Sequence, residues 1–320
     1  MKQFCIFLFI LISISANSQS YEEIDEIVQR YPRFSKVEDL ADKINKDFSK
    51  DIDKARASFF WLTQNVAYNL KEFYNPTQRS YSFSYATEEE KLQKLQSLKN
   101  KLVDETFKTK SGVCEEYAQS FKKICDLLDI EAVVIPGNVR NLSAEIGIVK
   151  RNTNHAWNAV KIDNKWLILD ATWAAGYLMN GKWIKNFNAY FFDMPKEKIM
   201  KTHYPQEKIW QIRFGRMSEK DFYNQPIYSN TFLGTKTELA SPKHGIIRIS
   251  KNKNIEIEFK NLKPSFRISY LFKGNRYLQN PEISIENEIT KVVIKNPRRN
   301  TELSVFIGQN RALQYKVLVQ

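Results

Sequence analysis

Cysteine is scarce, with three in 320 residues. That is too few for the disulfide framework of a small stapled domain. Glycine and proline number ten each, which excludes a collagen-like or proline-rich chain. Only three histidines are present, and no His/Cys cluster has metal-ligand spacing. No glycine-rich loop of the phosphate-cradling kind occurs. Neither a metal nor another cofactor is therefore expected. Past the N-terminus no apolar run reaches the ~18 residues of a membrane span. Acidic residues thin out towards the C-terminus: residues 235–320 hold 16 Lys+Arg against seven Glu and no Asp, or +9 of the total +13. What the chain does have is 42% hydrophobic and 13% aromatic residues. That is enough to bury a core and argues against disorder. At the usual ~100–200 residues per domain, two domains are expected.

The first segment reads as an address. Lys2 precedes an apolar run from Phe4 to Ile14, and Ala16-Asn17-Ser18 offers small residues for cleavage. At ~1.5 Å per residue the run is too short to cross a ~30 Å hydrocarbon core. Cys5 lies at its start and not after it, so it is not the acylated cysteine that follows a lipoprotein signal. Residues 1–18 are thus expected to be a signal peptide. The mature chain then starts near Gln19, in a secreted or periplasmic/cell-envelope setting that is more oxidising than the cytosol.

Residues 20–110 read mainly as helices. Val37, Leu40, Ala41 and Ile44 recur at helical spacing, as do Ala55, Phe59, Leu62 and Val66 within Asp53 to Leu70. Tyr74 to Ala86 is aperiodic and is expected as a surface loop. Thr87 and Glu90 form a capping box ahead of a stripe of Leu92, Leu95, Leu98 and Leu102. A further helix follows Gly112-Val113-Cys114, with Tyr117, Ala118, Phe121, Cys125 and Leu128 on one face. The period then changes. Ala132 to Ile135, Gly147 to Lys150, Ala156 to Ile162 and Trp166 to Ala171 read as strands. Residues 176–225 are irregular and aromatic. From Gly245 to Val319, short alternating runs predict an all-β module, a sandwich of about seven strands.

A thiol nucleophile needs a lowered pKa, a base, and a group that orients the base. Cys114 sits where a loop turns into a helix, whose first amides favour a thiolate and offer an oxyanion site. Glu115 and Glu116 oppose that charge, so an imidazole is needed to activate the sulfur. His155 opens one strand and Asp170 ends the next. Between them, Asp163-Asn164 suits a two-residue type I′ turn, because both residues tolerate positive φ. That turn pairs Ile162 with Lys165 and Trp157 with Asp170, making His155 and Asp170 diagonal neighbours on one face, ~7–8 Å apart at the backbone. A one-residue slip would separate them. The bland alternatives are a core role for Cys114, a structural strand histidine, and an aspartate that merely caps a turn. Cys125 falls on the apolar helix face, ~16 Å along the helix from Cys114, too far for a disulfide. His203 and His244 are expected to be structural.

These residues resemble the motifs of a known family. Ser111-Gly112-Val113-Cys114-Glu115-Glu116-Tyr117-Ala118 resembles the nucleophile motif of the transglutaminase-like superfamily. Asn154-His155-Ala156-Trp157 resembles its histidine strand, and Leu169-Asp170-Ala171-Thr172-Trp173 its aspartate strand. The helix from Lys54 to Tyr68 is similar to the family's upstream helix. Tyr190-Phe191-Phe192, His203-Tyr204-Pro205 and Trp210-Gln211 are similar to a segment of kyphoscoliosis-peptidase-like members. The resemblance covers roughly residues 35–215. It implies an α+β fold, a transglutaminase-like, papain-like cysteine proteinase core within residues 19–228; the β-sandwich-like module of 235–320 rests on its alternating runs alone. It also implies a triad of Cys114 as nucleophile, His155 as general base and acid, and Asp170 as orienter. Many relatives carry Gly where this chain has Glu116, so Glu116, with Trp157 and Trp173, is expected to line the substrate cleft.

The function expected is an exported cysteine acyl-transfer enzyme acting on peptide or protein amides through a thioester, with hydrolysis favoured over amine transfer. The rival is a catalytically silent transglutaminase-like binding or scaffold protein at the cell envelope. The basic C-terminal module suggests a polyanionic envelope partner such as acidic glycans or lipid head groups. No basic stretch interleaved with aromatics points to nucleic acid.

Overall fold

The computed structural model describes residues 21–75 and 83–320. The expected leader and the middle of the 74–86 loop lie outside the described residues.

Helices dominate the first part, as the 3.6-residue period predicts. They are α1 (Tyr21–Gln29), α2 (Val37–Asp47), α3 (Asp51–Asn65), α4 (Leu70–Tyr74) and α5 (Glu88–Thr109). α3 is buried almost all round, from Ala55 to Thr63. It stops earlier than its apolar period suggests. Val66 leaves the helix in an extended conformation, and β1 (Ala67–Tyr68) pairs in parallel with β2 (Ser111–Gly112). In α5, Thr87 caps through its side chain, accepting from the Glu90 amide at 3.1 Å, while Glu90 accepts from the Ala86 amide instead of Thr87's. The leucine stripe is not a core face: Leu92 is 64% exposed, and only Val103, Thr106 and Phe107 of α5 are buried.

Next come α6 (Cys114–Leu127), β3 (Ala132–Val139), β4 (His155–Ile162), β5 (Lys165–Leu169) and α7 (Ala171–Ala175). A hairpin of β6 (Gly176–Met179) and β7 (Lys182–Lys185) follows, then α8 (Lys196–Ile199), β8 (His203–Pro205), α9 (Lys208–Phe214) and α10 (Glu219–Asn224). The central sheet is antiparallel, in the order β5-β4-β3-β8. Asp163 and Asn164 both adopt positive φ, and Ile162 pairs with Lys165, the turn and register expected. β4 is central, so residues 155–160 are buried on both faces. One face meets α6: Asn158 Nδ2 donates to the carbonyls of Ala118 in α6 and Val133 in β3. Gly147–Lys150 is a loop and not a strand. Its backbone is committed elsewhere: the Gly147 amide donates to the Tyr223 carbonyl, and the Ile148 amide to the Glu145 carbonyl.

The C-terminal part opens with β9 (Ile227–Tyr228) and α11 (Asn230–Leu233), followed by β10 (Glu238–Ser241), β11 (Ile246–Ile249), β12 (Ile255–Lys260), β13 (Ile268–Phe272), β14 (Glu282–Glu286), β15 (Ile289–Ile294), β16 (Thr301–Ile307) and β17 (Asn310–Val319). They form two mostly antiparallel sheets, β10-β12-β15-β14 and β11-β17-β16-β13, around a separate buried cluster that includes Ile257, Phe259, Val292, Leu303 and Tyr315. This is a sandwich. The part before it has its own, larger core, running from Ile24 to Tyr223.

Candidate active site

Four elements deliver the site. α6 starts at Cys114, and its N-cap, Val113, has no side chain able to cap. The gap is filled from inside the helix: Glu116 Oε2 accepts from the Val113 amide at 3.0 Å. Gly112 makes that return possible, because a Cβ there would fall 2.4 Å from the Cβ of Glu116. Glu116 is consequently buried, 4% exposed, and does not line a cleft as expected. Trp157 is likewise sealed at 1% exposure, because it lies on the central strand under Gly137 and β8. Trp173 remains partly exposed, with its ring centroid 5.9 Å from that of His155. Cys114 itself is partly exposed, and Cys125 is fully buried in the helix core; both are free thiols.

His155 and Asp170 meet as the hairpin register requires. His155 Nε2 lies 2.6 Å from Asp170 Oδ2, and both side chains are buried. Asp170 itself has left the ladder. β5 ends at Leu169, and Asp170 is the N-cap of α7, with Oδ1 accepting from the Trp173 amide at 3.0 Å. The cap role and the histidine contact use different oxygens of one carboxylate, so two readings of Asp170 that looked exclusive in the sequence hold together.

Since Nε2 of His155 is taken, its other ring nitrogen is the one left for Cys114. Burial disfavours charge on this imidazole, yet the attraction of Asp170, the hydrogen bond to it, and a hydrogen bond and charge from Cys114 outweigh burial and raise its pKa to about 10. Burial also works against the Asp170 carboxylate, but His155 and His203 hold it well below the usual carboxylate range. The pairing with Asp170 thus favours the imidazolium form of His155. The Tyr68 hydroxyl faces the same group: burial first, then the charges of Cys114, Asp170 and Glu116, push its pKa up.

Sequence reasoning missed His203. Its Nε2 donates to the same Asp170 Oδ2 at 3.0 Å, and Thr202 Oγ1 lies 2.7 Å from its Nδ1. Burial pushes its pKa down, against the pull of Asp170, so it is neutral. It arrives from β8, where Val139 pairs with His203 and Gly137 with Pro205. No local spacing announces a partner 33 residues from Asp170. The one available signal was the likeness of His203-Tyr204-Pro205 to a segment of relatives. His155, Asp170 and His203 also bring three ligand-type atoms within 4.8 Å of one another, a cluster that chain spacing did not reveal. Their donor set suits hydrogen bonds better than a metal: both Nε2 atoms point at one oxygen, at 2.6 and 3.0 Å, where a zinc ion would sit ~2.0–2.1 Å from each nitrogen.

Residues 38–171 match the family model described as the transglutaminase-like superfamily. Kyphoscoliosis peptidase of Homo sapiens is 22% identical over 312 residues, covering 96% of this chain and 44% of that protein. Hillarin of Drosophila melanogaster is 25% identical over 148 residues, covering 42% of this chain and 18% of that protein. The chain thus spans less than half the length of these curated relatives. A solved structure titled "Crystal structure of a TGase" covers 57% of this chain and 41% of its own, at 16% identity and a TM-score of 0.31.

Proposed function

From a chain whose residues 38–171 match the transglutaminase-like superfamily model, we propose a cysteine acyl-transfer enzyme acting on peptide or protein amides, with Cys114 as nucleophile, His155 as general acid and base, and Asp170 as orienter. The observation that carries this reading is the 2.6 Å bond from buried Asp170 to His155, which leaves the far ring nitrogen for a cysteine at a helix start. The attacking species of a cysteine nucleophile is the thiolate, and a cationic imidazole beside it is its counter-ion. In the first half, the sulfur of Cys114 bonds to the amide carbon and the C=O pair moves onto oxygen, towards the first-turn amides of α6. The C–N bond then breaks, and the leaving amine takes the proton of His155. In the second half, water or an amine attacks the thioester and gives its proton to His155, and the C–S bond breaks to restore the thiolate. Hydrolysis is the favoured outcome, through a peptidase or amidase route. Export, and tethering of the basic sandwich to an acidic envelope component, belong to the same proposal.

Labelling with iodoacetamide, read by peptide mapping, tests it. Cys114→Ala is expected to abolish fast labelling, while Cys125→Ala keeps it. Equal labelling of both variants would remove Cys114 from the mechanism. A reactive Cys114 with no turnover across a peptide library, with or without added amine, would favour the silent scaffold. Product mass then separates hydrolysis from amine transfer.

A further inference from the structure

We propose that His203 is a positioning residue that acts through Asp170, setting how much of the carboxylate's charge reaches the His155 imidazolium. This deepens the catalytic reading above and rests on it. Both imidazoles use one oxygen: His155 Nε2 at 2.6 Å and His203 Nε2 at 3.0 Å from Asp170 Oδ2. The other oxygen is held by the Trp173 amide. The carboxylate is therefore pinned on both sides and cannot swing towards either ring. His203 is 0% exposed and Asp170 likewise, so their contact is shielded from bulk solvent. Its tautomer is fixed as well. A proton on Nε2 faces the carboxylate, and Nδ1 accepts from the Thr202 hydroxyl at 2.7 Å. Its ring lies between Trp157 and Trp173, at centroid distances of 5.0 and 4.9 Å. This apolar housing keeps it an uncharged donor and not a second cation.

The groups facing His155 are few. Asp170 comes from the β5–α7 junction, Cys114 from α6 and His203 from β8. The hydroxyls of Tyr68 and Tyr117 feel the charge of Asp170 from farther off. Of these, only His203 competes with His155 for the same oxygen atom. An oxygen shared between two donors gives less to each. Removing the neutral donor concentrates the negative charge on His155, which then holds its proton more tightly.

The test uses the full chain and iodoacetate, with alkylation of Cys114 followed by peptide mapping across pH. The anionic probe is drawn by the imidazolium, so the rate falls on the alkaline side as His155 loses its proton. In His203→Leu, which has no donor, that limb moves up by about half a pH unit or more. In His203→Gln, whose amide can still donate to Asp170, the limb returns to its wild-type position. A packing role alone would not move the limb. The inference is overturned if the limb stays or falls in a folded His203→Leu chain, or if the glutamine variant behaves like the leucine one. If the leucine variant does not fold, Thr202→Val replaces it. This change unlocks the His203 tautomer and is expected to raise the limb by a smaller step, and an unmoved limb counts against the inference in the same way. A wild-type chain in which Cys114 alkylation has no alkaline limb would sink the catalytic reading itself, a different result from a limb that ignores residue 203.

Discussion

Replacing Asp170 with asparagine removes one charge and almost no volume, and the structure says what each loss does. Three N–H groups converge on this carboxylate: the Trp173 amide on Oδ1, and the His155 and His203 rings on Oδ2. A carboxamide has one accepting oxygen and one NH2, so it cannot serve both sides. Turned towards the imidazoles, it uncaps α7, at about 0.5–2 kcal/mol. Turned towards Trp173, it faces two buried donors with an NH2, at about 1–3 kcal/mol for each bond left unmade. The larger effect is on charge. His155 holds its proton to about pH 10 because of Asp170, against an ordinary 6.5, and each unit is worth about 1.4 kcal/mol. In Asp170→Asn burial acts on the ring with only Cys114 left to oppose it, and the alkaline limb of Cys114 alkylation by iodoacetate should fall by about two pH units. Stability follows by linkage. His155 has its pKa raised on folding, so its contribution is full below about 6.5 and is lost as pH rises towards 10. Asp170 has its pKa lowered, so its contribution is full above 3.8 and is lost as pH falls through the folded value. The two shifts express one attraction and count once, on the order of a few kcal/mol. Urea denaturation of wild type and Asp170→Asn at pH 6 and pH 10 should show the gap between them narrowing by that amount at the higher pH. A gap that does not change with pH, together with an unmoved alkylation limb, would refute the imidazolium–carboxylate pairing.

Two further outcomes follow from the structure. Gly137→Ala would place a methyl group 2.3 Å from the Tyr204 carbonyl and 2.4 Å from the Trp157 ring, so β3 and β8 must part. Thermal denaturation should show a loss of at least about 1–3 kcal/mol, with slower Cys114 alkylation as His203 shifts along with β8. The full chain should bind anionic beads through its +9 C-terminal module and elute as salt screens the attraction; retention that ignores salt would exclude charge-driven tethering.

Much of the site could be read from the sequence because its geometry is local. The Asp163-Asn164 turn and the period-two pattern fix one register, and that register brings His155 to Asp170. Cys114 was legible as the first residue of an amphipathic helix. His203 was not, because its position depends on a strand of three residues pairing with the far end of β3, and no periodicity records that pairing. Glu116 misled for a related reason. Its place two residues after the cysteine suggested a cleft, whereas its carboxylate turns back to satisfy an amide that Val113 cannot cap. The leucines of α5 misled because a helical stripe shows which side of a helix is apolar, and not whether anything packs against it. β14 escaped notice as an edge strand with every residue exposed, where alternation carries no burial signal.

Asp170 caps one helix and anchors two rings with a single carboxylate, so the proposed chemistry and the architecture share one point of failure. Cys114 has no comparable structural duty: it is a partly exposed side chain at a helix start. A lineage drifting towards inactivity would therefore shed the sulfur first and keep the acid. Descendants that had become pure scaffolds would still carry an aspartate whose catalytic purpose was gone.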